Sequence, residues 1–248
     1  MISARLGGKL GNQLFQMANC YSRSKEWGLA YAIEMPSNLK QVYGHFYKYK
    51  NINYCAEGLN LKKYKEPTFH FSPIKKYDNM VFEGGFQSYK YFDSYRQDII
   101  NIFSEITKDW QLKKGVVSIH IRRGDYLNFP NLHPIIKLDY IKKCVEYFLN
   151  LGIKNFMVFS DDIKWCELIL INSNLAKYYF SKNENPIEDM LLMSCCEHNI
   201  ISNSSFSWWA AYFNQNPDKI VIYPSVWFGE GYKHYNTKDL FPEKWIKI

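Results

Sequence analysis

No stretch of this 248-residue chain approaches the roughly 20 uninterrupted apolar residues of a membrane-spanning helix. Its start, Met1-Ile2-Ser3-Ala4-Arg5, lacks the basic opening and apolar run of a signal peptide, so the expected location is the cytoplasm. The six cysteines are scattered and none stands at C-x-x-C spacing, which speaks against a zinc knuckle. Cys195-Cys196 fall in a helical pattern, where buried thiols are the simpler reading than a disulfide framework. There is no basic helix and no alternation of basic and aromatic residues, so nucleic acid is not an expected partner. The glycine-rich run Gly7-Gly8-Lys9-Leu10-Gly11-Asn12 does not match G-x-G-x-x-G, and its lysine is not in Walker A position. Internal repeats are also missing.

What the chain does have is a core. Apolar residues make up 47% and aromatics 18%, ample for one large or two small domains. The net charge of +7 fits an anionic ligand, peripheral contact with an acidic membrane face, or a solvated surface excess.

From residue 116 onward apolar strands alternate with helical patterns. Val116-Val117-Ser118-Ile119-His120-Ile121 reads as a buried strand, followed by a helix over 138–150 with Ile141, Val145, Phe148 and Leu149 on one face. Strand 156–159 ends in Ser160-Asp161-Asp162, strand 178–180 leads to a helix opening at Pro186, and strand 199–202 leads to a helix capped near Ser204. The run 219–223 is the fifth strand. Five strands with four crossovers predict a doubly wound parallel sheet, whose ligand sits beyond the carboxyl ends of the strands. Ile2, Ala4 and Leu6 predict a further strand, leading through the glycine turn into a helix with Leu14, Phe15, Ala18 and Tyr21; residues 36–80 show weak periodicity, and 93–106 read as helical. Lys113-Lys114-Gly115 is the expected hinge between domains 1–113 and 114–248.

The strand ending in Arg122-Arg123-Gly124-Asp125 carries the strongest chemical signal. A guanidinium is a planar fork of donors that stays charged, suited to bidentate capture of a phosphate or diphosphate. Side chains alternate along a strand, so Arg122 shares a face with His120 and is the expected ligand-binding arginine. Arg123 is expected to support it, with Asp125 as partner. Downstream, Asn203-Ser204-Ser205-Phe206 opens a helix whose free N–H groups suit the same anion. Asp161-Asp162 read as acceptors for a purine edge or ribose, or as a cap for the next helix; consecutive, with no third ligand nearby, they do not read as a metal site. The glycine turn either permits close strand–helix packing or lets Gly8, Gly11 and Asn12 approach a ligand. Of Trp208-Trp209, one is expected in the core and the other at a domain interface.

Four segments, Gly8-Lys9-Leu10-Gly11-Asn12-Gln13-Leu14-Phe15-Gln16, His120-Ile121-Arg122-Arg123-Gly124-Asp125-Tyr126, Phe159-Ser160-Asp161-Asp162 and Asn203 through Ala211, together resemble the α-1,2-fucosyltransferases of glycosyltransferase family 11. The resemblance implies an α/β GT-B architecture with two Rossmann-like domains facing across a cleft, 1–113 on the acceptor side and 114–248 binding GDP-fucose. It further implies an inverting transfer from GDP-fucose to a galactose-terminated oligosaccharide, with no metal. By position it puts Arg122 on the donor diphosphate, Ser204, Ser205 and Phe206 on the same phosphates, and His120, Asp161 and Asp162 near ribose and guanine. Gly8, Gly11 and Arg123 join the donor side, and Asn12 falls at the cleft. For the general base, His133 and Asp125 are the candidates, and the third reading is no dedicated base, since a highly dissociative transition state needs little proton abstraction. The class and the charge together suggest lipid-linked acceptors in surface polysaccharide assembly at the inner membrane face.

Overall fold

The computed structural model describes residues 1–35, 52–56, 60–102, 111–170, 176–182 and 185–248. These form two compact units, Met1–Thr107 with Tyr235–Pro242, and Lys108–His234 with Glu243–Ile248. Both are α/β with parallel sheets.

In the first unit, β1 (Ile2–Arg5), β2 (Tyr31–Met35), β3 (Tyr54–Ala56), β4 (Lys62–Lys65) and β5 (Met80–Glu83) form a sheet of order β3-β2-β1-β5-β4, parallel throughout. Helix α1 (Leu10–Trp27) follows β1, buries Leu14, Phe15, Met17 and Ala18, and ends at Gly28 in the left-handed conformation that glycine adopts without steric cost. The helix expected over 93–106 is a 3-10 turn at Asp93–Tyr95 followed by α2 (Arg96–Ile102); residues 103–110 lie outside the described set. Segment 235–242 packs on this unit through Ser88 Oγ, which donates to Asp239 O at 2.7 Å, and through the Lys90–Asp239 ion pair at 2.6 Å.

In the second unit, β6 (Lys113–Ile121), β7 (Asn155–Ser160), β8 (Lys177–Phe180), β9 (Cys196–Ile200), β10 (Val221–Tyr223) and β11 (Ile246–Lys247) give the order β11-β10-β9-β6-β7-β8, again all parallel. The five expected strands are present and the chain's end adds a sixth. The strand expected at 199–202 runs earlier, Cys196–Ile200, so Cys195 closes α5 (Pro186–Cys195) while Cys196 opens the strand. Lys113-Lys114-Gly115, expected as a hinge, begin β6; Gly115 sits at φ +70°, and the pairing with β9 shifts register between Lys113 and Val117, as a bulge does.

β6 is central and buried on both faces, and its two faces differ. Val117, Ile119 and Ile121 pack against Ile141, Cys144, Val145 and Phe148 of α3 (Leu138–Asn150). Each such aliphatic side chain contributes about 1.5–3 kcal/mol on full burial. Ser118 and His120 point the other way into a polar seam. There Asn199 Nδ2 donates to Ser118 Oγ at 2.7 Å and to Met193 O at 2.8 Å, and Asn214 donates to Asn199 Oδ1 at 2.8 Å. Such satisfied buried amides fix the register of β6, β9 and the helices behind them. Trp208 and Trp209 of α6 (Ser205–Phe213) are both fully buried: Trp208 stacks on Tyr212 with ring centroids 5.0 Å apart and meets Trp245, and Trp209 meets Phe213. The helix is apolar on all sides, which is why both indoles go inside.

Candidate active site

The carboxyl ends of β6, β7 and β9 meet in one place. Beyond β6 the chain leaves the sheet at Arg122, whose guanidinium is held between two carboxylates: Nη2 is 2.5 Å from Asp125 Oδ1 and Nη1 is 2.9 Å from Asp161 Oδ2. Charge-assisted pairs on both nitrogens leave the fork one orientation. Arg123 turns the opposite way, pairs with Asp162 at 3.0 Å, and lies over the Trp165 ring at 3.8 Å. Asp125 therefore partners Arg122, not Arg123 as expected, because the 3-10 turn Asp125–Asn128 carries it back under the strand end. Asp161 also accepts from Arg123 N–H at 2.8 Å, so one carboxylate fixes both the backbone and the neighbouring guanidinium. Asp162 accepts weakly from Trp165 N–H at 3.4 Å, capping α4 (Ile163–Leu170), one of the two readings open for it.

On the other side stands the start of α6. Ser204 caps it, its Oγ accepting from Phe206 N–H at 3.3 Å, so the first-turn N–H groups and the positive end of the helix lie at the carboxyl end of β9. Two ties connect this helix start to β6. His120 Nδ1 is 2.7 Å from Ser202 Oγ and its ring is 5.3 Å from Phe206. Tyr126 donates its hydroxyl to Asn203 O at 3.0 Å, with the Arg122 guanidinium 5.5 Å from its ring. Burial, with Arg122 adding to it, drives the His120 imidazole down to about 3, so the ring is neutral. Burial pushes the Tyr126 hydroxyl up to about 12, so it keeps its proton and its bond.

His133 lies in the loop that follows. Its ring stacks on Tyr126 at 4.7 Å and meets Phe228 and Tyr232. This loop is clamped to segment 227–232: Gly229 N–H donates to Leu132 O at 3.0 Å and Gly231 N–H to Asn131 O at 2.9 Å. A Cβ at Gly229 would come 2.3 Å from Asn131 O, so the close approach requires glycine. Asn203 Nδ2 closes the ring of contacts by donating to Pro134 O and Trp227 O.

The structure thus brings together Arg122, Arg123, Asp125, Asp161, Asp162, His120, His133, Ser204, Ser205 and Phe206 in the second unit. Gly8, Gly11 and Asn12 belong to the first. There Gly8 takes φ +72° against the Asn12 side chain, Gly11 lies inside α1, and Asn12 Oδ1 accepts from Gln87 Nε2 at 3.1 Å. Sequence reading missed Gln87, Trp165 and Glu66. Glu66 Oε2 accepts from Gly85 and Phe86 N–H groups at 2.7 and 2.9 Å, and burial pushes its carboxyl up to about 7. No spacing signals these residues, since their partners lie far away in sequence.

An arginine paired on both terminal nitrogens and a capped helix start thus lie at neighbouring strand ends. Residues 46–248 match the family model described as glycosyl transferase family 11. The chain is 34% identical to the O-antigen biosynthesis glycosyltransferase WbnK of Escherichia coli over 77% of its own length and 70% of the relative's. It is 29% identical to an alpha-1,2-colitosyltransferase of the same organism, over 100% of this chain and 99% of that one. Among solved structures, the NodZ alpha-1,6-fucosyltransferase soaked with GDP-fucose shares the fold, with a TM-score of 0.50 at 10% identity over 86% of this chain and 92% of that one.

Proposed function

The chain belongs to glycosyl transferase family 11, and from that premise we propose that it is an inverting galactoside α-1,2-fucosyltransferase. It moves L-fucose from GDP-fucose to the 2-hydroxyl of a terminal galactoside. One observation supports the reading: Arg122, ion-paired with Asp125 and Asp161, and the capped start of α6 both lie at the carboxyl edge of the sheet, where such folds take their ligands.

In the proposed reaction the acceptor oxygen bonds to C1 of fucose from the face opposite GDP as the bond from C1 to the phosphate oxygen breaks. Configuration inverts to α. GDP leaves with the electron pair, and the developing charge on its diphosphate falls to Arg122 and the N–H groups of Ser205 and Phe206. Fixed donors of this kind stabilise the transition state beyond the ground state. They stand in the place of a metal ion. His120, Asp161 and Asp162 line the nucleoside side, with Arg123 behind them. The proton of the hydroxyl goes to His133, since Asp125 is committed to Arg122. GDP release from GDP-fucose in EDTA, with and without galactose-terminated disaccharides, tests the reading. Acceptor-stimulated release supports it, and loss of turnover in EDTA or absence of GDP binding overturns it.

A second reading concerns the donor alone. A relative that spans the whole chain is named an alpha-1,2-colitosyltransferase, so a panel of GDP-sugars ranked by kcat/KM decides between donors. Surface polysaccharide assembly on a lipid-linked acceptor at the inner membrane face fits the +7 charge and the O-antigen relative. No described helix is long and apolar enough to cross a membrane, so such contact would be peripheral. Cosedimentation with acidic vesicles tests it, and a protein that stays in the supernatant counts against it.

A further inference from the structure

Only one end of the second sheet is used by the chemistry above. At the other, where the strands begin, lysines gather: Lys113 and Lys114 open β6, Lys154 directly precedes β7, and Lys177 opens β8. These strands are neighbours in the sheet, and Lys177 N–H donates to Lys154 O at 2.8 Å, so the four lie in one row. All four residues are exposed, and among the described residues none of them enters an ion pair.

The backbone holds this row in place. Between the pairs Lys113–Cys196 and Val117–His198, β6 advances further than β9 does, so the start of β6 carries a bulge. Gly115 allows it at φ +70°, and side chains take both of its polar groups: its N–H donates to Glu197 Oε2, and its O accepts from Asn155 Nδ2 at 3.3 Å. The bulge thus fixes the stretch that carries Lys113 and Lys114, and it occupies the Glu197 carboxylate that would otherwise offset them. Apolar side chains flank the row. Leu151, in the turn from α3 into β7, is 54% exposed, and Tyr179, on the same side of β8 as Lys177, is 52% exposed. Lysine on an edge strand guards against pairing with another chain, which accounts for Lys177. It does not account for Lys113, Lys114 and Lys154, because β6 and β7 are paired on both sides. Lysines beside an exposed leucine and tyrosine suit an anionic bilayer, which attracts the ammonium groups and admits the apolar tips at its interface.

We propose that this amino edge, Lys113, Lys114, Lys154 and Lys177 with Leu151, is the face by which the protein docks on an acidic membrane. The inference rests on the peripheral-contact reading above and gives that contact a definite surface. β6 runs nine residues, so the edge lies about 25 Å from Arg122 at about 3.3 Å per residue. The proposed donor site is at the far end of the sheet and stays open while the protein is bound.

Cosedimentation of the full chain with vesicles of phosphatidylcholine and phosphatidylglycerol, against vesicles of phosphatidylcholine alone, tests it. Each lysine near an anionic surface contributes about fivefold in affinity, so changing all four to glutamine should weaken binding to the acidic vesicles at least about thirtyfold. A control with the same loss of charge on the first unit, Lys62→Gln, Lys65→Gln, Lys75→Gln and Lys238→Gln, should stay within about threefold of wild type. Leu151→Ser keeps every charge and should weaken binding about fivefold or more. Should the fourfold change impair folding, Lys113→Gln with Lys114→Gln decides in its place. Undiminished binding by the lysine variant, or equal losses in it and its control, overturns this face. Unchanged binding by Leu151→Ser would make the partner a soluble polyanion and overturns the bilayer. Wild type that stays in the supernatant overturns the peripheral reading and this proposal together. Vesicle binding is read without nucleotide, so wild type that binds vesicles but not GDP defeats the transferase reading alone and leaves this face standing.

Discussion

Arg123 lies over the indole of Trp165, its guanidinium carbon 3.8 Å from the ring centroid, and is pinned there by Asp162 at 3.0 Å. The adjacent Arg122 lies over the Tyr126 ring at the longer distance of 5.5 Å and is gripped by carboxylates on both terminal nitrogens. Two neighbouring residues of one type thus take different partners, one braced against α4 and one held between two carboxylates.

That division predicts different outcomes for the same substitution. Arg122→Lys keeps the charge but loses the bidentate fork, and GDP affinity should fall at least about tenfold, with folding stability little changed. Arg123→Lys loses the flat contact with Trp165 and should cost about 1 kcal/mol in urea unfolding, with GDP affinity within about threefold. Calorimetry and urea titration of both variants check this, and a reversed pattern would exchange the roles of the two arginines.

Gly124 has no room for a side chain. A Cβ there would come 2.2 Å from Asp161 Oδ2, and Asp161 cannot retreat without releasing Arg122 and the Arg123 N–H. Gly124→Ala should therefore cost about 1–3 kcal/mol in unfolding and weaken GDP binding together. Unchanged GDP affinity in a destabilised variant would show that Asp161 gives way without disturbing Arg122.

Much of this site was legible in the sequence because its elements announce themselves. The β-branched run before Arg122, Pro186, and the hydroxyl residues around Ser204 mark a strand and two helix starts by local chemistry. The first unit was harder. Its strands are three to five residues long, too short to display a period, and Lys62-Lys63-Tyr64-Lys65 reads as a solvated loop although β4 pairs along its whole length with β5. Pairings across the chain were not readable at all. Arg123 meets Asp162 39 residues on, and Asn12 meets Gln87 75 residues on, so only the folded sheet brings them together. Asp125, expected beside Arg123, shows the limit of reasoning from neighbours, because a single 3-10 turn redirects it.

Two buried groups should give the stability curve opposing slopes with pH. His120 falls from 6.5 to about 3 on folding, so its contribution is present above 6.5 and is lost as pH drops toward 3. Glu66 rises from 4.5 to about 7, so its contribution is present below 4.5 and is lost as pH rises through 7. Between 4.5 and 6.5 the two trends oppose each other and wild type should change little on their account. His120→Gln should leave stability falling with rising pH in that window, and Glu66→Gln should leave it rising. Urea unfolding across the range checks both signs, and parallel curves for the two variants would refute the assignment.

Ser204 lets capping be tested apart from the proposed phosphate binding. Its Oγ is occupied by Phe206 N–H, so the hydroxyl holds the helix start, and in the proposed reaction the backbone N–H groups take the diphosphate. Ser204→Ala removes the cap and should cost about 0.5–2 kcal/mol in unfolding, with a modest loss of GDP affinity as the first turn frays. Ser204→Asp restores an equally good cap and should recover the stability. It also sets a carboxylate at the edge of a site meant for a diphosphate, and like charges held close in a partly buried site repel strongly. GDP affinity of Ser204→Asp should therefore drop at least about tenfold while its urea midpoint matches wild type. If Ser204→Asp instead binds GDP as wild type does, the diphosphate does not sit at the start of α6, and Arg122 alone would have to hold it.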